Sequence, residues 1–285
     1  MSLVISDLAF LPNFVAVSAA VPGVHFRIAM RITLKRSIWS LFVLTIAAIC
    51  IFAFRSTGKD DRKLSEVPNT VIWAWERPEN LKFIDPRKIG VAYLAKTISL
   101  SAHSVITRPR LQSIELPANT KVIAVVRIES DRLEKPALTD SQLNELVGEI
   151  VSLKELNISA IQIDFDATTS ERSFYSKLIG DVSKQISPLP LSITALASWC
   201  SGDRWLQDLP IAEAVPMLFR MGVERGAFAS RLAEGNNAFA TPCDHAAGVS
   251  TDELIDAPKV DRLYLFSPKP WTPISLKQAI EDFQR

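Results

Sequence analysis

From residue 71 to residue 266 the chain alternates short apolar runs with amphipathic or polar stretches, and this alternation constrains the fold more than any other feature. The runs span 71–75, 90–98, 121–128, 160–166, 191–198, 214–219, 237–241 and 262–266. Short apolar runs bounded by turn formers read as strands buried on both faces, which occur in parallel sheets connected by helical crossovers. Eight of them in one domain predict a (β/α)8 TIM-like barrel over residues 71–285. Two crossover helices are well signalled. Thr139 and Gln142 form a capping box ahead of Leu143, Leu146, Val147, Ile150, Val151 and Leu153 at helical spacing. Thr168 and Glu171 precede Phe174, Leu178, Ile179 and Val182, with Pro188 beyond the end, and a closing helix is expected over 274–284. The barrel is expected to be irregular. Residues 101–119 contain Pro109 and Pro117 and alternate like strands, and 200–213 is too short for an ordinary crossover helix. An open doubly wound sheet is the alternative topology.

The N-terminal part is different. Mean hydropathy is +0.16, and the excess is local, because 37 of the first 58 residues are hydrophobic. Residues 38–54 carry no charge, and Arg31, Lys35, Arg36 and Arg55 flank them. As a helix such a run is about 25 Å long, at the lower limit for crossing a bilayer. A cleaved signal peptide would need small residues before a cleavage site, and none is well placed after Phe54. An uncleaved transmembrane helix is the favoured reading, with residues 30–58 as membrane anchor and 59–70 as charged linker. The expected location is the inner membrane, single-pass, with the C-terminal domain in the periplasm or outside. Met30, followed by Arg31, Lys35 and Arg36, looks like a natural beginning for such a chain, which makes residues 1–29 either a misassigned start or a disordered tail.

Charge narrows the partners. The chain has 32 basic and 31 acidic residues, and no basic cluster that would bind nucleic acid. Of its three cysteines, Cys50 lies in the apolar run; Cys200 and Cys243 either pair in an oxidising compartment or remain two buried thiols. His103 and His245 are isolated, so no metal site is expected, and no glycine-rich cofactor fingerprint is present.

Strand ends carry the chemistry in a parallel barrel. The fourth run reads Ile161-Gln-Ile-Asp-Phe-Asp166, which places Asp164 and Asp166 on one face. Two close carboxylates repel, so one is expected to hold its proton to higher pH and act as a general acid. Arg127 and Glu129 share a face at the end of the third run, and Arg220 follows the sixth. Trp75 ends the first run, on the same face as Trp73, and Trp199 and Trp271 follow the fifth and eighth, where indole faces would stack on the apolar faces of sugar rings.

Three stretches carry a resemblance: Ile161-Gln-Ile-Asp-Phe-Asp-Ala-Thr168, Leu191-Ser-Ile-Thr-Ala-Leu-Ala-Ser-Trp-Cys200 and Glu213-Ala-Val-Pro-Met-Leu-Phe-Arg-Met-Gly222. From about residue 71 to the C-terminus the chain resembles a bacterial family called domain of unknown function 3142. More distantly, the fourth run is similar to the Asp-Gly-x-Asp-x-Asp-x-Glu signature of chitinase-like family-18 glycoside hydrolases, which are (β/α)8 barrels. The resemblance puts Asp166 on the catalytic glutamate and Asp164 on the aspartate beside it, with Gln162 and Ala160 replacing an earlier aspartate and the glycine. It places Met217 and Phe219 on a Met-x-Tyr element whose hydroxyl Phe219 lacks, and Trp271 on a tryptophan that floors a sugar subsite. A carboxyl shorter by one methylene sits more than about 1 Å from the acid position, a displacement that can cost about a hundredfold in rate.

The expectation is a membrane-anchored, exported barrel acting on an envelope or extracellular glycan without a cofactor. Asp166 is the candidate general acid and Asp164 its partner, with Arg127, Glu129, Arg220, Trp75, Trp199 and Trp271 holding the oligosaccharide. The alternatives are a non-catalytic carbohydrate-binding or envelope-organising protein on the same barrel, and a purely structural membrane-tethered interaction protein whose two aspartates are saturated by ion pairs.

Overall fold

Strand β1 (Thr70–Ala74) has parallel hydrogen-bonded neighbours on both sides, and this closes the sheet. The computed structural model describes residues 64–201, 205–222, 225–226, 230, 239, 241–256 and 258–283. The remaining strands are β2 (Glu79–Asn80), β3 (Ile89–Ser101), β4 (Ser104–Pro109), β5 (Ile114–Glu115) and β6 (Val122–Ser130). They continue with β7 (Ala160–Phe165), β8 (Leu191–Leu196), β9 (Glu213–Met217), β10 (Ala246–Ser250) and β11 (Arg262–Phe266). Around the barrel the order is β1, β3, β6, β7, β8, β9, β10, β11 and back to β1, every pair parallel. Closure rules out the open doubly wound sheet.

Among the described residues helices are fewer than a regular barrel has, as the sequence predicts. The ones described end to end are α1 (Asp140–Val151), α2 (Arg172–Ile186), α3 (Ala197–Ser201) and α4 (Pro273–Phe283), with a 3-10 turn over Ser152–Glu155, and residues 225, 226 and 230 are helical as well. The capping box at α1 forms: Thr139 Oγ1 accepts from the Gln142 amide and Gln142 Oε1 accepts from the Thr139 amide, each at 3.2 Å. At α2 the expected cap is displaced. Glu171 Oε2 accepts from the Thr168 amide at 2.7 Å, but the helix opens only at Arg172. The alternating stretch after β3 is a hairpin, since β4 pairs antiparallel with β3 beyond the point where β1 leaves it.

Each barrel strand alternates in and out with period two. On β7, Ile161, Ile163 and Phe165 face outward into the layer formed by Leu146 and Ile150 of α1 and Leu178, Ile179 and Val182 of α2. Burial of each such aliphatic side chain contributes roughly 1.5–3 kcal/mol. Inside, Val71, Trp73, Ala92, Ile123, Val125, Val215 and Tyr264 fill the barrel. The seventh barrel strand is β10, whereas residues 237–241 form no described strand and lie mostly outside the described residues. β10 is hard to recognise because it is made mostly of small residues, and the interior explains its glycine. A Cβ at Gly248 would stand 2.9 Å from Met217 Sδ and 3.3 Å from the Trp73 ring.

The lower interior holds a polar chain. Trp73 Nε1 donates to Gln162 Oε1 at 3.2 Å, Gln162 Nε2 to Ser192 Oγ at 3.0 Å, and Ser192 Oγ to Glu213 Oε1 at 3.3 Å. Tyr264 OH also donates to Glu213, whose second oxygen accepts from Arg262 Nη1 at 2.7 Å. Arg262 Nη2 then donates to the Leu64 and Val67 carbonyls at 2.7 and 3.3 Å, so the segment before β1 seals the barrel floor. On the flank, Cys200 and Cys243 form a disulfide with a Cα–Cα distance of 5.7 Å, joining the β8–β9 and β9–β10 connections. The proposed anchor and linker, apart from residues 64–70, lie outside the described residues. Among those described, no helix is long and apolar enough to cross a membrane.

Removing one partner of a buried ion pair leaves the other uncompensated. Glu213→Ala is expected to lower the unfolding free energy by about 3–5 kcal/mol, measured by urea titration. A loss below about 1 kcal/mol would mean the network does not hold the floor.

Candidate functional site at the barrel mouth

The C-terminal strand ends surround a cavity of about 480 Å³, the size class of a small-ligand site. Its two walls differ in chemistry. β6 and the end of β7 supply Arg127, Glu129 and Asp164, with Asp166 directly after β7, while Trp75 follows β1, Phe219 follows β9 and Phe266 ends β11. Parallel register makes the charged wall: Arg127 and Asp164 are direct cross-strand partners, and period two repeats the facing at Glu129 and Asp166.

Arg127 organises this wall. Its Nε donates to Glu129 Oε1 at 2.7 Å, its Nη1 lies 3.5 Å from Asp164 Oδ2, and its guanidinium sits 5.4 Å from the Trp75 ring centre. Burial works against the Arg127 charge, but Asp164, Glu129 and Asp166 together hold it above its usual value. Asp164 is the deeper carboxyl and accepts from Thr194 Oγ1 at 2.7 Å. Burial pushes its pKa above the usual aspartate value; Arg127 and Thr194 pull the other way, and Asp166 and Glu129 add to the rise. Asp166 stands exposed at the rim.

The aromatic wall is held from behind. Phe219 and Phe266 stack with centroids 5.3 Å apart and planes 9° from parallel, and Trp75 meets Phe266 edge-on at 5.9 Å. Arg110 fixes the chain leaving β1 by donating to the carbonyls of Trp75 and Arg77. Arg77 donates to the carbonyls of Ser267 and Lys269 at 2.9 and 2.7 Å, which ties that loop to the one after β11.

Six sequence-derived candidates therefore meet at one cavity: Asp164, Asp166, Arg127, Glu129, Arg220 and Trp75. Trp199 and Trp271 do not line it. Trp199 is buried, 5.0 Å from the Trp205 ring, with Arg172 beside both. Trp271 is buried too, its Nε1 donating to the Trp73 carbonyl at 2.9 Å and its amide to Glu79 Oε2 at 3.2 Å. Both tryptophans pack the scaffold, because the residues after a strand turn into helix or loop and lose the strand's facing. Thr194 and Arg108 are additions from the structure. Thr194 has the inward parity of Ser192 on β8, a signal present in the sequence, whereas Arg108 reaches the cavity from the β4 hairpin rather than from a barrel strand.

Residues 118–212 match the family described as Domain of unknown function (DUF3142). That stretch contains Arg127, Glu129, Asp164, Asp166 and Thr194 and ends before Glu213 and Arg220. No curated protein matches the chain.

The raised Asp164 pKa makes a prediction with a definite sign. The folded protein holds this proton more tightly than the unfolded chain, so the stabilisation is full below the ordinary aspartate value and is lost as pH rises through the raised one. Urea unfolding across a pH series should show wild-type stability falling relative to Asp164→Asn through that window. Parallel curves for the two proteins would contradict the assignment.

Proposed function

We propose that the barrel mouth binds a glycan and positions a glycosidic bond against Asp164 and Asp166, in a protein held at a membrane by residues 38–54 and exported beyond it. The observation that carries this reading is the meeting of two kinds of side chain in one cavity: carboxylates organised by Arg127, and the aromatic rings of Trp75 and Phe266. A sugar ring presents apolar C–H faces suited to an aromatic wall and hydroxyls suited to charged acceptors and donors. Two carboxyl groups with different environments are also what glycoside hydrolysis requires, one holding a proton for the leaving oxygen and one ionised.

The division of labour differs from that implied by the family-18 resemblance. Asp164 is the deeper carboxyl, and burial raises its pKa above the ordinary aspartate value, so it takes the acid role, with Asp166, exposed at the rim, as its partner. Arg127 contacts both Glu129 and Asp164 and positions the pair. A second reading, carbohydrate binding without turnover, draws support from the Thr194 hydrogen bond and the Arg127 contact, which already occupy Asp164. It also draws support from Phe219, which has no hydroxyl to orient a substrate.

A panel of oligosaccharides, assayed for binding and for release of reducing ends, separates the two. The enzymatic reading predicts turnover that Asp164→Asn lowers by about a hundredfold or more while binding persists. It also predicts that Trp75→Ala weakens binding by about three- to tenfold. Binding without wild-type turnover selects the non-catalytic reading, and no binding across the panel overturns both.

A further inference from the structure

We propose that the ligand carries a carboxylate, and that Arg220, assisted by Arg108, selects it. This specificity rests on the glycan reading above and names the class of sugar: a hexuronate or a carboxyl-substituted amino sugar rather than a neutral hexose. Three arginines line the cavity, and they are not equivalent. Arg127 is committed to Glu129 and Asp164. Among the described residues, neither Arg108 nor Arg220 has a carboxylate on its guanidinium, although both stand at the cavity.

Arg220 is held in a way that leaves its charge available. The residue has φ 55°, a left-handed backbone that costs a non-glycine residue of order 1–2 kcal/mol. The carboxylate that stabilises this turn, Glu253, accepts from the Arg220 amide at 3.0 Å and lies 3.5 Å from Arg225 Nη1. Glu253 therefore binds the Arg220 backbone and a different guanidinium. The Arg220 guanidinium lies 5.9 Å from the Phe266 ring centre, over the wall formed with Phe219. A planar cation resting on an aromatic wall beside the place for a sugar ring is suited to bidentate capture of a ligand carboxylate. Of the cavity's four acidic residues, Glu129, Asp164 and Asp166 gather around Arg127 at the ends of β6 and β7, and Glu76 follows β1 and acts on the Arg110 charge, whereas Arg220 follows β9.

The test is calorimetric titration of the full chain in detergent with three probes. They are tetragalacturonate, its carboxyl-reduced neutral counterpart tetragalactose, and a tetrasaccharide of alternating N-acetylglucosamine and N-acetylmuramic acid. The two acidic probes distinguish a ring carboxylate from a lactyl one. The expected result is that one acidic probe binds at least about tenfold more tightly than tetragalactose, with an advantage that shrinks as salt is raised. Arg220→Ala should abolish that preference, with an unchanged urea-unfolding midpoint reporting an intact fold, and Arg220→Lys should keep only part of it. Arg108→Ala should reduce the preference by a smaller factor. Equal or tighter binding of tetragalactose by the wild type overturns the proposal and leaves the glycan reading standing, as does a preference that survives in the Arg108→Ala/Arg220→Ala double variant. Binding of none of the probes counts against the glycan reading and this inference together.

Discussion

Closure of the sheet through β1 is the constraint on which the rest of the structure depends. Because β1 bonds to both β3 and β11, no barrel strand has a free edge along its paired length, and every second side chain is committed to the interior. A narrow interior cannot hold unpaired charge, since an ion taken from water costs several kcal/mol even after relaxation. The inward charges of this barrel follow that rule. At the floor, Glu213 is matched by Arg262 and Tyr264 and joined through Ser192 and Gln162 to Trp73. At the mouth, where water enters, Arg127 gathers Glu129 and Asp164, and Asp166 is left exposed.

The two ends use similar chemistry with different consequences. Glu213 has partners for both of its oxygens in a closed environment, the arrangement of a structural network. Asp164 has a hydroxyl at 2.7 Å and a guanidinium at 3.5 Å. Two unit charges about 4 Å apart attract by roughly 4 kcal/mol at an effective dielectric of 20, comparable to the desolvation that opposes them. For Asp164 the balance falls to desolvation, so the carboxyl favours its neutral form more than a free aspartate does. A group balanced in this way responds to small changes in its surroundings, including the arrival of a ligand that excludes water.

Much of this arrangement is legible in the sequence because parallel strands obey two simple rules: period two sets the facing, and neighbouring strands end together. Those rules place Asp164, Asp166, Arg127 and Glu129 on one wall before any coordinates are considered. They fail where the chain leaves the strand. Trp199 and Trp271 follow their strands in sequence, yet α3 and the loop after β11 turn both into packing positions. They also fail where space rather than hydrophobicity decides. On β10, Trp73 and Met217 occupy the room a side chain at Gly248 would need, and the strand's small residues carry a weaker strand signal than residues 237–241. Glu213 gives no sign in the sequence of being a buried network centre, since its partners come from strands far along the chain.

The most direct measurement is a crystal structure of the protein with a bound oligosaccharide. The expected result is a sugar ring against Trp75 and Phe266, with a glycosidic or hydroxyl oxygen within hydrogen-bonding distance of the Asp164 carboxyl. A ligand seated elsewhere on the molecule, with Arg127, Asp164 and Asp166 still facing only solvent and one another, would contradict the account.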